Sequence, residues 1–222
     1  MKNKSKITSA ALSAAIGYTL GCINPAYLIG RRKGYDVREK GSGNAGASNI
    51  MILEGKLAGS FVMAFDMCKA IVAVNTARKL FPDYKSAGET AGAAAVLGHM
   101  FPATMNFRGG KGLACLGGTL LAFGAADFSL MLFIELSLLL ATKYLCYVPM
   151  SASVLYPLYR GLSTGNWEGA AILGSVAPPI FAKHLENLKR ISEGKEFKVS
   201  FLWDKQGELE RTGWISEIEK GQ

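Results

Sequence analysis

"LAGSFVMAFDMCKAIVAVNTARKL", residues 57–80 of a 222-residue chain, is an apolar run interrupted near its middle by one acid and one base. About 20 such residues in a helix cross the hydrocarbon core of a bilayer, so this stretch predicts a membrane span. Its two charges, Asp66 and Lys69, stand three apart and share one helix face. An isolated charge inside a membrane is costly, which predicts that the two pair with each other beside a cytoplasmic cavity.

Working outward, the same pattern repeats. Upstream, a first span runs from about Ile7 to Gly30 after "MKNKSK", too far for a cleavable signal sequence, so it is read as retained. Downstream come residues 87–106, then "LACLGGTLLAFGAADF" (113–128) and "SLMLFIELSLLLATKYLCYV" (129–148), joined by a tight turn near Asp127. "PMSASVLYPLYRGL" (149–162) and "EGAAILGSVAPPIFAKH" (168–184) complete the set, with Pro178 and Pro179 expected to kink the last. The reading is an all-α, polytopic membrane protein of about seven transmembrane helices. Residues 1–198 form the membrane domain and residues 199–222 a polar cytoplasmic tail, whose Trp203 and Trp214 are expected to dock on the core or on lipid headgroups.

Composition agrees. Half the residues are hydrophobic and only 19% are charged, against about 25% in soluble domains; the mean hydropathy is +0.20. The formal charge of +8 comes without a basic stripe interleaved with aromatics, so nucleic acid is not expected as a partner. Anionic lipids or phosphorylated substrates account for it better. Cys22, Cys68, Cys115 and Cys146 stand singly in apolar runs and read as thiols rather than disulfides or metal ligands. The cluster Arg31, Arg32, Lys33, Arg38, Lys40 and Lys56 places the loop after the first span, and with it the carboxyl terminus, in the cytoplasm.

That topology sends three polar segments to one face. The first holds "GSGNAGASN" (41–49), with Gly41, Gly43 and Gly46 spaced like a nucleotide loop. A dinucleotide fingerprint needs a strand before it, and "GYDVREK" is not one. What remains is a glycine-rich anion cradle with Ser42, Asn44, Ser48 and Asn49 as added donors, or simply a flexible turn. The second is "FRGGKG" (107–112), where Arg108 and Lys111 flank Gly109 and Gly110 at the mouth of a helix. Helix amino termini attract anions, although a positive-inside anchor would look the same. The third is "HLENLKR" (184–190): His184 and Asn187 share a helix face and Arg190 lies one step further. An amphipathic interfacial helix is the plainer alternative. His99 reads as structural, while Glu135 and Lys143 have no role in this reading.

Taken together and in order, these segments resemble one family, the integral-membrane, acyl-phosphate-dependent glycerol-3-phosphate acyltransferases of bacteria. "NPAYLIGR" and "G-x-D-V-R-E-x-GSGN-x-GASN" are similar to its first motif, "GHMFP…FRGGKG" to its second, and "H-x-x-N-x-x-R-x-x-x-G-x-E-x-K" to its third; "FDMCKA" is similar to its D-x-x-K-G segment. The resemblance covers residues 21–198. It implies transfer of an acyl group from acyl phosphate to the sn-1 hydroxyl of glycerol 3-phosphate, giving lysophosphatidate and phosphate at the cytoplasmic face of the cell membrane. It implies no cofactor and no metal, membrane lipids as surroundings, and a monomer. By this resemblance Ser42, Lys111, His184 and Asn187 are the catalytic set. Gly41, Gly43, Asn44, Gly46, Ser48, Asn49, Arg108, Gly109, Gly110 and Arg190 bind the substrates. One departure stands out: the basic residue that usually follows the first motif is replaced by Ile52, while Ser48 stands where threonine is usual. The alternatives are a divergent or inactive paralogue, or a membrane protein that binds an anionic lipid or phosphate.

Overall fold

The structure is a computed structural model that describes residues 2–213. It is helical, with no strand among the described residues. The first helix, α1 (Lys2–Gly21), stops at a break before Asn24, and α2 (Pro25–Arg32) restarts the chain. The single first span of the sequence reading is therefore two helices. Proline at the first position lacks the N–H that a continuing helix would need, and the Asn24 side chain caps the new start by accepting from the Tyr27 amide. A short α3 (Ala47–Glu54) leads into α4 (Lys56–Leu80), the span from which the fold was read.

The chain then continues through α5 (Ala87–Met100), α6 (Leu113–Phe123), α7 (Ala125–Thr142) and α8 (Tyr147–Thr164). It closes with α9 (Trp167–Gly174), α10 (Ala177–Ser192) and α11 (Lys205–Thr212). Two expectations need correction here. The turn between α6 and α7 falls at Gly124, and Asp127 lies inside the first turn of α7. Pro178 and Pro179 do not kink one long helix: they open α10, after a break at Ser175 and Val176. Three stretches are long and apolar enough to cross a membrane, Ser5–Arg32, Lys56–Leu80 and Ala125–Thr142.

Small residues set the helix spacing. A Cβ on Gly17 would lie 2.0 Å from the Ala91 carbonyl oxygen, and one on Gly21 2.3 Å from that of Ala95. So α1 and α5 approach backbone to backbone, the mode by which helices associate where lipid supplies no hydrophobic drive.

Polar contacts mark the two ends of this bundle. At one end Lys6 pairs with Glu168 at 2.7 Å, Ser86 bonds Asn166 at 3.2 Å, and Arg160 reaches Glu89 at 3.3 Å and Asp127 at 3.5 Å. The opposite end collects α2, α3, the loop before α6, the carboxyl ends of α5, α7 and α10, and the segment after Lys198. Lys143 has an account here: it takes the left-handed conformation that ends α7, and its carbonyl accepts from the Val199 amide at 2.8 Å. Glu135 accepts from Ser151 Oγ of α8 at 2.5 Å. Trp203 is 71% exposed, so its indole does not dock on the core; Trp214 lies outside the described residues.

Candidate active site

Asn49 organises the glycine-rich loop. It is fully buried, its Oδ1 accepts from the Ser42 amide at 2.8 Å, and its Nδ2 donates to the carbonyls of Val37 (2.9 Å) and Lys40 (3.0 Å). Gly41 and Gly43 have φ of 57° and 69°, the left-handed region that a residue with a Cβ enters only at a cost. The amides of Ser42, Gly43 and Gly46 are therefore spent within the loop, on Asn49, Lys40 and Asn44. The loop delivers the amino terminus of α3, whose cap Gly46 supplies no side-chain acceptor. The first-turn amides there, with Ser48 beside them and Asn44 just outside, form a positive helix end.

Arg38 ties this loop to the second segment. Its guanidinium is held by Asp36 at 2.6 Å, lies 5.0 Å from the Tyr27 ring centroid, and donates to the Met105 carbonyl at 2.8 Å. In return it holds the Asp36 carboxyl below the ordinary carboxylate range. Gly109 and Gly110 serve close packing: their amides go to the carbonyls of Met100 and His99, each at 3.1 Å. A Cβ on Gly110 would fall 2.8 Å from the Ala45 carbonyl, so the first and second segments touch through backbone. Arg108 stands exposed at the rim. Gly112, at φ 89°, starts α6 without a side-chain cap, leaving a second helix amino terminus beside Lys111.

The third segment meets the second directly. Lys111 Nζ donates to Asn187 Oδ1, across 76 residues of sequence. Asn187 Nδ2 donates to Glu196 Oε1 at 2.6 Å, and Arg190 Nε to Glu196 Oε2 at 2.7 Å. A carboxylate only accepts and an ammonium only donates, so Glu196 and Lys111 together fix which way the Asn187 amide points. Arg190 also pairs with Glu186 at 2.8 Å. His184 is 3% exposed, and its Nδ1 lies 2.8 Å from the Ile180 carbonyl. That carbonyl can only accept, so Nδ1 carries the proton and the lone pair of the neutral ring sits on Nε2. Burial, and then the nearby Arg190, lower the Lys111 ammonium to about 8.

Beneath these loops lies a buried ionic triad. Lys69 pairs with Asp66 at 2.6 Å, as the sequence predicted; Lys69 also reaches the Ile23 carbonyl at 2.7 Å and His99 Nδ1 at 3.1 Å, and His99 Nδ1 stands 3.3 Å from Asp66. It pins the α1–α2 break and the root of the second segment to α4. Sequence reasoning missed the roles of Glu196, Arg38 and Asn24. Glu196 and Arg38 do stand inside the motifs, yet spacing alone carries no sign of which carboxylate or guanidinium meets which partner. Ile52 is buried. Among the described residues no group of three metal-ligating side chains comes together.

Residues 11–194 match the glycerol-3-phosphate acyltransferase family. The chain belongs to this family. The glycerol-3-phosphate acyltransferase of Legionella pneumophila (strain Corby) is 38% identical over 190 residues, 84% of this chain and 67% of that protein. That of Thermoanaerobacter sp. (strain X514) is 35% identical over 86% of this chain and 96% of its own. The fold is similar to the crystal structure of PlsY (YgiH), an integral membrane glycerol 3-phosphate acyltransferase, in its glycerol 3-phosphate form. There the TM-score is 0.75 and the identity 29%, over 87% of this chain and 97% of that one. The lysophosphatidic acid form of PlsY is similar with a TM-score of 0.72. The integral-membrane, all-helical reading of the sequence holds for this family member.

Proposed function

We propose that this membrane glycerol-3-phosphate acyltransferase takes its acyl group from acyl phosphate and places it on the sn-1 hydroxyl of glycerol 3-phosphate. The observation that carries the reading is the junction of Lys111 with Asn187, Glu196 and Arg190, which gathers cations and oriented donors beside two uncapped helix amino termini. Such a pocket suits two phosphorylated reactants.

In this reading Ser42, Asn44, Ser48 and the first turn of α3 hold one phosphate. Gly41, Gly43, Gly46 and Asn49 shape the loop that presents them, as Gly109 and Gly110 shape the second. Lys111, Arg108 and the start of α6 neutralise the phosphate that leaves. Arg190 and Asn187 hold the acceptor, and His184 Nε2 accepts a hydrogen bond from its hydroxyl. The hydroxyl oxygen attacks the acyl carbon, the bond from that carbon to the bridging phosphate oxygen breaks, and the electron pair leaves with inorganic phosphate. The hydroxyl proton passes to His184 Nε2 and from there to a phosphate oxygen, a group with a pKa of about 6. An acyl phosphate is an activated donor, so positioning and charge stabilisation supply most of the rate without a covalent enzyme intermediate. The chain crosses the bilayer seven times in this reading, as a monomer, with the pocket on the cytoplasmic side.

Purified protein supplied with palmitoyl phosphate and glycerol 3-phosphate is expected to release phosphate only when the acceptor is present. Lys111→Ala or His184→Ala is expected to abolish that release while the protein stays folded. Phosphate release independent of acceptor, or full activity in the double variant, contradicts the assignment.

A further inference from the structure

The segment after Lys198 lies beyond the family match, yet it is bound to the site from three directions. Arg211 of α11 donates to the carbonyls of Gly194 at 2.8 Å and Glu196 at 2.6 Å. Glu208 accepts from the Lys198 amide at 3.1 Å, from Ser200 Oγ at 2.7 Å, and from Arg211 at 2.6 Å. Lys205 donates to the Ile52 carbonyl at 2.8 Å, one of the last four carbonyls of α3, which have no partner within the helix. The Val199 amide reaches the carbonyl of Lys143 at the end of α7.

These contacts converge on Glu196. Its carbonyl is gripped from α11, and its carboxylate holds both Asn187 and Arg190. Asn187 in turn faces Lys111. We propose that residues 199–212 are a strut that positions the third motif: it braces the Glu196 backbone against α3 of the first motif, and so sets the places of Asn187 and Arg190 for the acceptor. Arg211 is a positioning residue that acts through Glu196. Lys205, at the far end of the strut, fastens it to the helix that starts at the glycine-rich loop.

The inference rests on the acceptor role given to Asn187 and Arg190 above. In the full-length chain, Arg211→Ala is expected to raise the KM for glycerol 3-phosphate about tenfold while kcat and the KM for palmitoyl phosphate change by less than about twofold. Arg211→Lys, which keeps one donor, recovers part of the loss. Amide hydrogen exchange at residues 194–198, measured without substrates, quickens in Arg211→Ala. Unchanged exchange there, or a common loss in kcat and both KM values, overturns the strut. Wild-type protein with no acceptor-dependent phosphate release contradicts the functional reading instead, and the exchange measurement still decides the strut.

Discussion

At the residue scale Lys111 is the most informative side chain, because burial and the nearby Arg190 work against its charge. Its ammonium titrates at about 8 rather than at the usual 10.5, with burial the larger cause and Arg190 the second. A lysine held below its unfolded value loses its proton as pH rises through the folded value. Acceptor-dependent kcat/KM is therefore expected to fall as pH rises through about 8. Lys111→Arg, which stays charged at any accessible pH, is expected to flatten that alkaline limb even if its overall rate is low; a profile unchanged in Lys111→Arg contradicts the assignment. The sign for stability is the reverse. The burial penalty is full below the folded pKa and is relieved as pH rises from about 8 to 10.5. Asn49 gives a second residue-scale outcome. It satisfies one amide and two carbonyls, so Asn49→Ala is expected to cost about 1–3 kcal/mol, read as a shifted denaturation midpoint in detergent. Asn49→Asp is expected to cost more, because it turns a carboxylate towards the carbonyls of Val37 and Lys40.

At the scale of elements, the contact between α1 and α5 and the ionic triad below the site hold the bundle in shape. Gly17 has no room for a methyl group against Ala91. Gly17→Ala is expected to separate the two helices at a cost of about 1–3 kcal/mol, measured by thermal unfolding; an unchanged midpoint contradicts the close approach. For the triad, Lys69→Met leaves Asp66 buried beside His99 without its ammonium, and removal of one partner of a buried pair costs about 3–5 kcal/mol. The double variant Asp66→Asn/Lys69→Met is expected to be more stable than Lys69→Met alone, because no uncompensated charge remains. The α4 span was legible because a mostly apolar run of that length is what crosses a bilayer, and the Asp66–Lys69 pair was legible because i, i+3 spacing fixes its geometry. The breaks at 22–24 and 175–176 were harder to see. Hydropathy reports only how apolar a stretch is, and both breaks lie within apolar runs where the cue is a single cap, Asn24, or a proline whose effect depends on its place in the turn. The partners of His99, Lys69 and Asp66, could not be read at all, since α4 and α5 come together only through packing.

At the scale of the molecule, the fold works as a carrier that sorts polar contacts to two ends. Lys6, Glu168, Arg160, Glu89 and Asp127 knit one end, and the three motifs gather at the other. Helices that run to and fro between the two ends explain why motifs about 70 residues apart can meet: each return brings the next loop back to the same end. That much was readable from span order. The part that was not is the use of the carboxyl-terminal segment, which looks like a polar tail in sequence but is bound through Arg211, Glu208 and Lys205. Backbone carbonyls are its main partners, and those leave no trace in side-chain patterns.

Single-cysteine labelling in sealed membrane vesicles measures this convergence most directly. The exposed Glu39, Arg108 and Lys189, one within each motif, and Asp83 at the opposite end give four sites in a background without Cys22, Cys68, Cys115 and Cys146. An impermeant maleimide is expected to label the first three in inside-out vesicles only, and Asp83→Cys in right-side-out vesicles only. Glu39→Cys and Lys189→Cys reacting from opposite sides would end the account, because no single pocket could then contain Ser42, Lys111 and His184.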